Sequence, residues 1–241
     1  MNIVKPCSEK QALFVESESD ITIFNGAGVG KTFGNLLIHF AEVNDPDYSG
    51  LLAKGSARAC SYAFDEAVEL YKDFNIKALN KERRIVFESG ARIDFRSGTT
   101  HRDVGNYACA GQYDKITIDD ASQFDLDAIF YVLSRVRGRA LCKKQFYMTC
   151  NADEEAQIKP FVIPWLDSEG YPKEELNGKE YYLYRDPELG IVYTSSPEIP
   201  WQRSVKFIHD KADNNPYLKD TKYLEYLLSC NKVDSLYYGK W

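Results

Sequence analysis

Two hydrophobic periods alternate along the chain. Short apolar runs at Ile21-Thr22-Ile23-Phe24, Gly50 to Lys54, Lys115-Ile116-Thr117-Ile118, Gln145 to Thr149 and Ser204 to Ile208 have the length and boundaries of buried strands. Between them lie stretches with helical spacing: Phe33 to Val43, Ala57 to Phe74 (Tyr62, Ala63, Ala67, Leu70, Tyr71), Phe124 to Arg135 with Ser122 or Asp125 as its cap, and Thr221 to Cys230. A short helix is also predicted between Pro6 and Ser19. From Ile76 to Phe95 the period is two, and Arg84 to Glu88 and Ala91 to Phe95, joined by Ser89-Gly90, predict a β-hairpin. Arg96 to Asp114, rich in Gly, Thr, Asn and Ala, has no clear period and predicts a long loop. Strands separated by helical crossovers predict an α/β fold with a mostly parallel, doubly wound sheet, its active residues at the carboxyl ends of the strands. Beyond Asp153 the pattern loosens into aromatic and proline-rich pieces (Pro160 to Trp165, Tyr181 to Tyr184, Pro197 to Trp201), which predict a small covering or lid subdomain. One domain is expected, with its core at about 1–153 and 203–218 and covering segments at about 154–202 and 219–241.

Composition narrows the setting. With 241 residues, 44% of them hydrophobic, the chain has enough apolar material for a full core. No apolar stretch reaches the length of a membrane span and the start lacks a signal-peptide core, so a soluble cytoplasmic protein is expected. The six cysteines (Cys7, Cys60, Cys109, Cys142, Cys150, Cys230) form no C-x-x-C pair and are expected to be reduced core thiols. His39, His101 and His209 show no metal-ligand spacing and are expected to be structural or exposed. A net charge of −6 means that any contact with nucleic acid must be local.

The segment Asn25-Gly26-Ala27-Gly28-Val29-Gly30-Lys31-Thr32 stands directly after an apolar strand and directly before a helix. That order is a phosphate-binding loop: glycines let successive backbone N–H groups point at one anion, and the helix N-terminus adds partial positive charge. Lys31 is placed to meet the β and γ phosphates of ATP, and the Thr32 hydroxyl to ligate Mg²⁺. Asn25 replaces the first glycine of the pattern, and Asn is the non-glycine residue best able to adopt left-handed backbone angles. About 90 residues on, an apolar strand ends in two carboxylates. Asp119 is placed to hold the Mg²⁺ shell and Asp120 to orient or deprotonate the attacking water. Thr149 and Asn151, at the end of the next strand, are candidates for sensing the γ-phosphate. Gln11 is the candidate reader of the adenine edge.

Together these residues are similar to the N-terminal ATPase half of bacteriophage terminase large subunits, the motors that pump double-stranded DNA into procapsids. The carriers are the loop 25–32, Ile118-Asp119-Asp120-Ala121, Leu133-Ser134-Arg135-Val136-Arg137 followed by Met148-Thr149-Cys150-Asn151, and Trp165 to Pro172. The closing pieces Lys206-Phe207-Ile208, Asn214 to Leu218, Tyr223-Leu224 and Tyr238 to Trp241 complete the set. The resemblance implies a RecA-like P-loop NTPase core with a small lid, coupling of hydrolysis to movement by Thr149 and Asn151, and the cofactors ATP and Mg²⁺. It implies as partners double-stranded DNA, a portal protein and a small terminase subunit, with no membrane. It also implies a homo-oligomeric ring (pentamer) when assembled, a monomer in isolation, and a place in the host cytoplasm docked on the procapsid. The family's nuclease follows its ATPase domain, and no DNA cleavage is expected of residues 1–241.

Departures from the family pattern are Ala27, where many members place an Arg in the loop, Ala110 before Gly111, where others have a basic residue, and Asp120 in place of Glu. Arg102, Arg135, Arg137 and Arg139 are the candidates for an arginine finger or for DNA contact; Lys143 and Lys144 extend the same basic run. Alternative readings are a ring-forming nucleotide-binding module with weak hydrolysis, or another RecA-like DNA-dependent ATPase such as a helicase.

Overall fold

The computed structural model of the chain describes residues 5–109, 111–219 and 221–241; Ala110 lies outside the described residues. In chain order the elements are α1 (Glu9–Val15), β1 (Ile21–Asn25), α2 (Lys31–Phe40), β2 (Ser49–Lys54), α3 (Ala57–Tyr71), β3 (Lys77–Leu79), β4 (Arg84–Val86), β5 (Arg92–Ser97) and α4 (His101–Ala108). They continue with β6 (Lys115–Asp119), α5 (Leu126–Leu133), β7 (Gln145–Cys150), β8 (Glu180–Asp186), β9 (Gly190–Thr194), β10 (Arg203–His209), α6 (Tyr223–Ser229) and α7 (Val233–Leu236). The strands form a mostly parallel ten-stranded sheet in the order β3-β4-β5-β2-β6-β7-β1-β10-β8-β9.

Two compact units divide the chain, residues 35–147 and the remainder. In the first, β2 pairs in parallel with both β5 and β6, and the register Lys54↔Asp119 brings those two residues together at the carboxyl ends of their strands. The predicted hairpin is present: β4 and β5 are antiparallel with Arg84 opposite Asp94, and Gly90 turns with φ +104°. α3 lays Cys60, Ala63, Phe64, Ala67 and Tyr71 into a core with Ile85, Ile93 and Phe95. Helical and two-residue periods thus meet on one apolar face. The expected loop from Arg96 to Asp114 contains a helix instead. α4 begins in a reciprocal capping box between Thr100 and Asp103 and buries only Val104 and Ala108. Two buried positions are too few to make a readable period, and the T-x-x-D spacing was the available signal.

In the other unit, β1 pairs in parallel with β10, and β8 and β9 extend that sheet as an antiparallel hairpin. The aromatic-rich segment expected to form a separate covering piece therefore contributes two strands to the sheet. Its rings build a core: Trp165 is buried edge-on to Tyr181 and Tyr193 and tilted against Phe207. Cys60 and Cys150 are buried thiols as expected, whereas Cys109 is exposed. No helix among the described residues is long and apolar enough to cross a membrane.

Candidate nucleotide site

The loop after β1 has the geometry its glycines demand. Gly26, Gly28 and Gly30 all take positive φ (135°, 74° and 78°), which turns alternate peptides and lines up N–H groups. Each glycine is also required by a close neighbour. A Cβ on Gly26 would lie 2.2 Å from the Asp210 carbonyl oxygen, and one on Gly28 would strike the Tyr223 ring at 2.7 Å. Lys31 Nζ donates to the Gly26 carbonyl at 2.5 Å and to Asn151 Oδ1 at 2.5 Å. The loop lysine and the residue after β7 are thus brought together, while Thr149 is buried within β7 itself.

Two expectations at this site are corrected. Asn25 does not use a left-handed backbone: it is the last residue of β1 and fully buried. Its side chain is what matters, with Nδ2 3.1 Å from His209 Nδ1 and Oδ1 accepting from the Cys150 thiol at 3.8 Å. Gln11 is not free to read a base edge. It is fully buried, its Oε1 accepts from Cys7 N–H at 2.7 Å, and its Nε2 donates to the Gly30 carbonyl at 2.8 Å. Both ends of the amide are committed to the chain, so Gln11 clamps the loop from behind.

Sequence reasoning missed what covers the loop from the front. Ala27 packs with Ala212 and Leu227 in an apolar cluster completed by Leu218, Tyr223, Leu224, Leu236 and Tyr237. The Ala27 N–H donates to the Leu236 carbonyl at 3.3 Å, and Asn215 Nδ2 donates to the Gly28 carbonyl at 2.7 Å. Segments near the end of the chain therefore hold the phosphate loop, and an Arg at position 27 has no room.

In the unit 35–147, Asp119 is buried and pairs through Oδ2 with Lys54 Nζ at 2.6 Å. Lys54 is a further residue that the sequence did not flag. Asp120 follows in a left-handed conformation (φ 69°, ψ 51°), which turns the chain out of the sheet, and its Oδ2 accepts from Gln123 Nε2 at 2.9 Å. Among the described residues no group of three or more His, Cys, Asp or Glu side chains is placed to hold a metal. Hard oxygen donors such as a carboxylate and a threonine hydroxyl suit Mg²⁺, which takes few protein ligands when phosphates supply the rest. The finger candidates differ in freedom. Arg135 lies over the Tyr131 ring at 4.5 Å and is within reach of the Cys109 carbonyl, whereas Arg102, Arg137 and Arg139 are exposed. His39 and His209 are buried and His101 is exposed beside Tyr131.

A family model for the N-terminal part of the terminase large subunit, T4likevirus-type, matches residues 22–232. The chain belongs to that family. Solved terminases agree on the fold. The large terminase of a thermophilic bacteriophage superposes with a TM-score of 0.67 at 12% identity, over 98% of this chain and 54% of that one. The large terminase of the same thermophilic phage in complex with ADP gives 0.64 at 12% identity, over 97% and 53%. The large terminase ATPase domain of Thermus phage P74-26 gives 0.61 at 14% identity, over 96% and 92%. This terminase chain therefore has the RecA-like ATPase fold, and it spans about half the length of the first two of these proteins. No curated protein matches it.

Proposed function

We propose that the chain is a Mg²⁺-dependent ATPase that drives translocation of double-stranded DNA into a viral procapsid, acting in a ring with a portal protein and a small terminase subunit as partners. The observation that carries this reading is the glycine nest holding Lys31 between the Gly26 carbonyl and Asn151. Membership of the terminase family and the ADP held by the thermophilic-phage relative support it.

In this reading the nest N–H groups and Lys31 bind the nucleotide's phosphates, and Thr32 and Asp119 hold Mg²⁺. When bound, Mg²⁺ neutralises charge on the phosphate oxygens. Lys54 pairs with Asp119 and holds its carboxylate in place until then. Asp120 orients the attacking water, and Gln123 restrains it for that task. Thr149 and Asn151 couple the state of the site to movement, because release of Lys31 from Asn151 is the local change that phosphate binding requires. The finger comes from Arg102, Arg135, Arg137 or Arg139 of a neighbouring copy.

Steady-state phosphate release with ATP and Mg²⁺, measured across protein concentration, tests this. Activity per chain is expected to rise with concentration, and Lys31→Ala and Asp120→Asn are each expected to lower it about a hundredfold or more. Equal, slow release by wild type and both variants at every concentration would favour the rival reading of a nucleotide-binding ring module.

A further inference from the structure

In the unit 35–147, a cavity of about 580 Å³ opens at the sheet edge opposite Asp119 and Asp120. Its walls include Ser49 and Arg92, which begin β2 and β5, and Tyr113, which precedes β6, whereas Lys54 and Asp119 end their strands. Five strand steps of about 3.3 Å put it roughly 16 Å from Asp119 and Asp120.

Four arginines line it, Arg84, Arg92, Arg96 and Arg139, against two carboxylates, Asp47 and Asp94. The two-residue period of β5 turns Arg92, Asp94 and Arg96 to one face while Ile93 and Phe95 enter the core. Asp94 is buried and organises the group. Arg84 grips it through Nε at 2.5 Å and Nη2 at 3.1 Å, and Arg96 Nη2 lies 3.2 Å away. Arg96 Nη1 also donates to the carbonyls of Glu82 (2.5 Å) and Phe95 (2.8 Å), so two guanidiniums are held rigid. The other two are not held in this way. Arg92 donates only its Nε, to Ser49 Oγ at 3.2 Å, and Arg139 has no hydrogen bond or ion pair among the described residues. The Tyr107 hydroxyl, on the same wall, is buried without a hydrogen-bond partner. Tyr113 also lines the cavity, and burial pushes its hydroxyl up to about 12.

This is a chain of net charge −6 with a local excess of arginine, idle N–H and O–H donors, and its buried carboxylate already paired. Guanidiniums match phosphate oxygens in pairs. The volume falls within the range of small-molecule pockets, about 300–1,000 Å³, and exceeds what a bare phosphate fills. We propose that this cavity is a second phosphate-binding site, separate from the phosphate loop, that takes a phosphoester group through Arg92, Arg139 and Tyr107, supplied either by a free phosphate compound or by a nucleic-acid backbone. The proposal does not depend on ATP hydrolysis.

The test uses the full chain carrying Lys31→Ala, which silences the loop, and two probes: inorganic pyrophosphate by calorimetry and a 20-base-pair DNA duplex by fluorescence anisotropy. At least one probe is expected to bind, and adding Arg92→Gln and Arg139→Gln is expected to weaken that binding tenfold or more. Pyrophosphate binding without DNA binding identifies a free compound as the source. DNA binding that pyrophosphate displaces identifies the backbone. Tyr107→Phe is expected to weaken binding about threefold while leaving the melting temperature unchanged, because its hydroxyl has no partner in the free protein. Absence of binding by either probe, or equal binding with and without the arginine substitutions, would overturn the proposal.

Discussion

The Ala27 methyl group faces Ala212 and Leu227, at a loop position where the family pattern often has Arg. A long cationic side chain there must displace α6 and α7 or push the loop off its glycine conformations. Ala27→Arg is therefore expected to lower stability by about 1–3 kcal/mol, the usual range for overpacking, as read by urea unfolding. Asp119 is the second residue whose surroundings decide its role. Its carboxylate is the close counter-charge of Lys54, whose side chain is 15% exposed. Asp119→Asn is expected to cost roughly 2–3 kcal/mol in the same assay, somewhat less than a fully buried pair, because water still reaches the ammonium. An unchanged midpoint in either variant would show that the contact is dispensable.

Among the elements, α4 is the instructive case. It has eight residues, Gly105 in its interior and only two buried side chains, so little but its start distinguishes it from a loop. Its stability rests on Thr100 and Asp103, whose side chains cap each other's backbone N–H groups. Thr100→Ala is expected to cost about 1 kcal/mol and to speed amide hydrogen exchange within 101–108 while leaving β5 protected. Uniform loss of protection across both would mean that α4 does not open on its own. The β4–β5 hairpin, by contrast, is legible in the amino-acid pattern alone, because alternation over two runs and a Ser-Gly turn overdetermine it. The aromatic stretch after Asp153 is legible only as unusual. Its rings pack on partners tens of residues away, and no local period records that β8 and β9 join the sheet beside β10.

For the molecule as a whole, acid sensitivity follows from two buried histidines. Burial, with help from Lys115, holds His39 down to about 3 where Tyr48 and Thr117 bond its ring, and burial, with help from Lys211, holds His209 down to about 4 beside Asn25. Both are neutral in the fold and take a proton near pH 6.5 when unfolded. The unfolded state therefore binds more protons between about pH 6.5 and those folded values, and stability falls as the pH drops through that window. From pH 7 to pH 5 the loss is expected to be about 2 kcal/mol for each histidine, as read by urea midpoints. His39→Asn is expected to flatten the slope by about half, whatever its effect at pH 7, and an unaltered slope would remove His39 from the account.

The boundary between what the chain spells out and what only folding settles runs along sequence distance. Strand and helix periods, the glycines at 26, 28 and 30, Lys31 after them and the paired acids at 119 and 120 are local patterns, and they are enough to indicate a P-loop α/β fold and its family. The commitment of Gln11 to the loop, the Leu236 carbonyl on Ala27 and the gathering of Arg84, Arg92, Arg96 and Arg139 around one cavity all draw on residues from separate parts of the chain. Asn25 and His209 stand 184 positions apart. Such contacts depend on which strand lies beside which, and hydrophobic pattern constrains that order only weakly. A side chain's hydrogen-bond partners are therefore decided once the sheet has assembled, because burial then forces each polar group to bond whatever the topology has placed within reach.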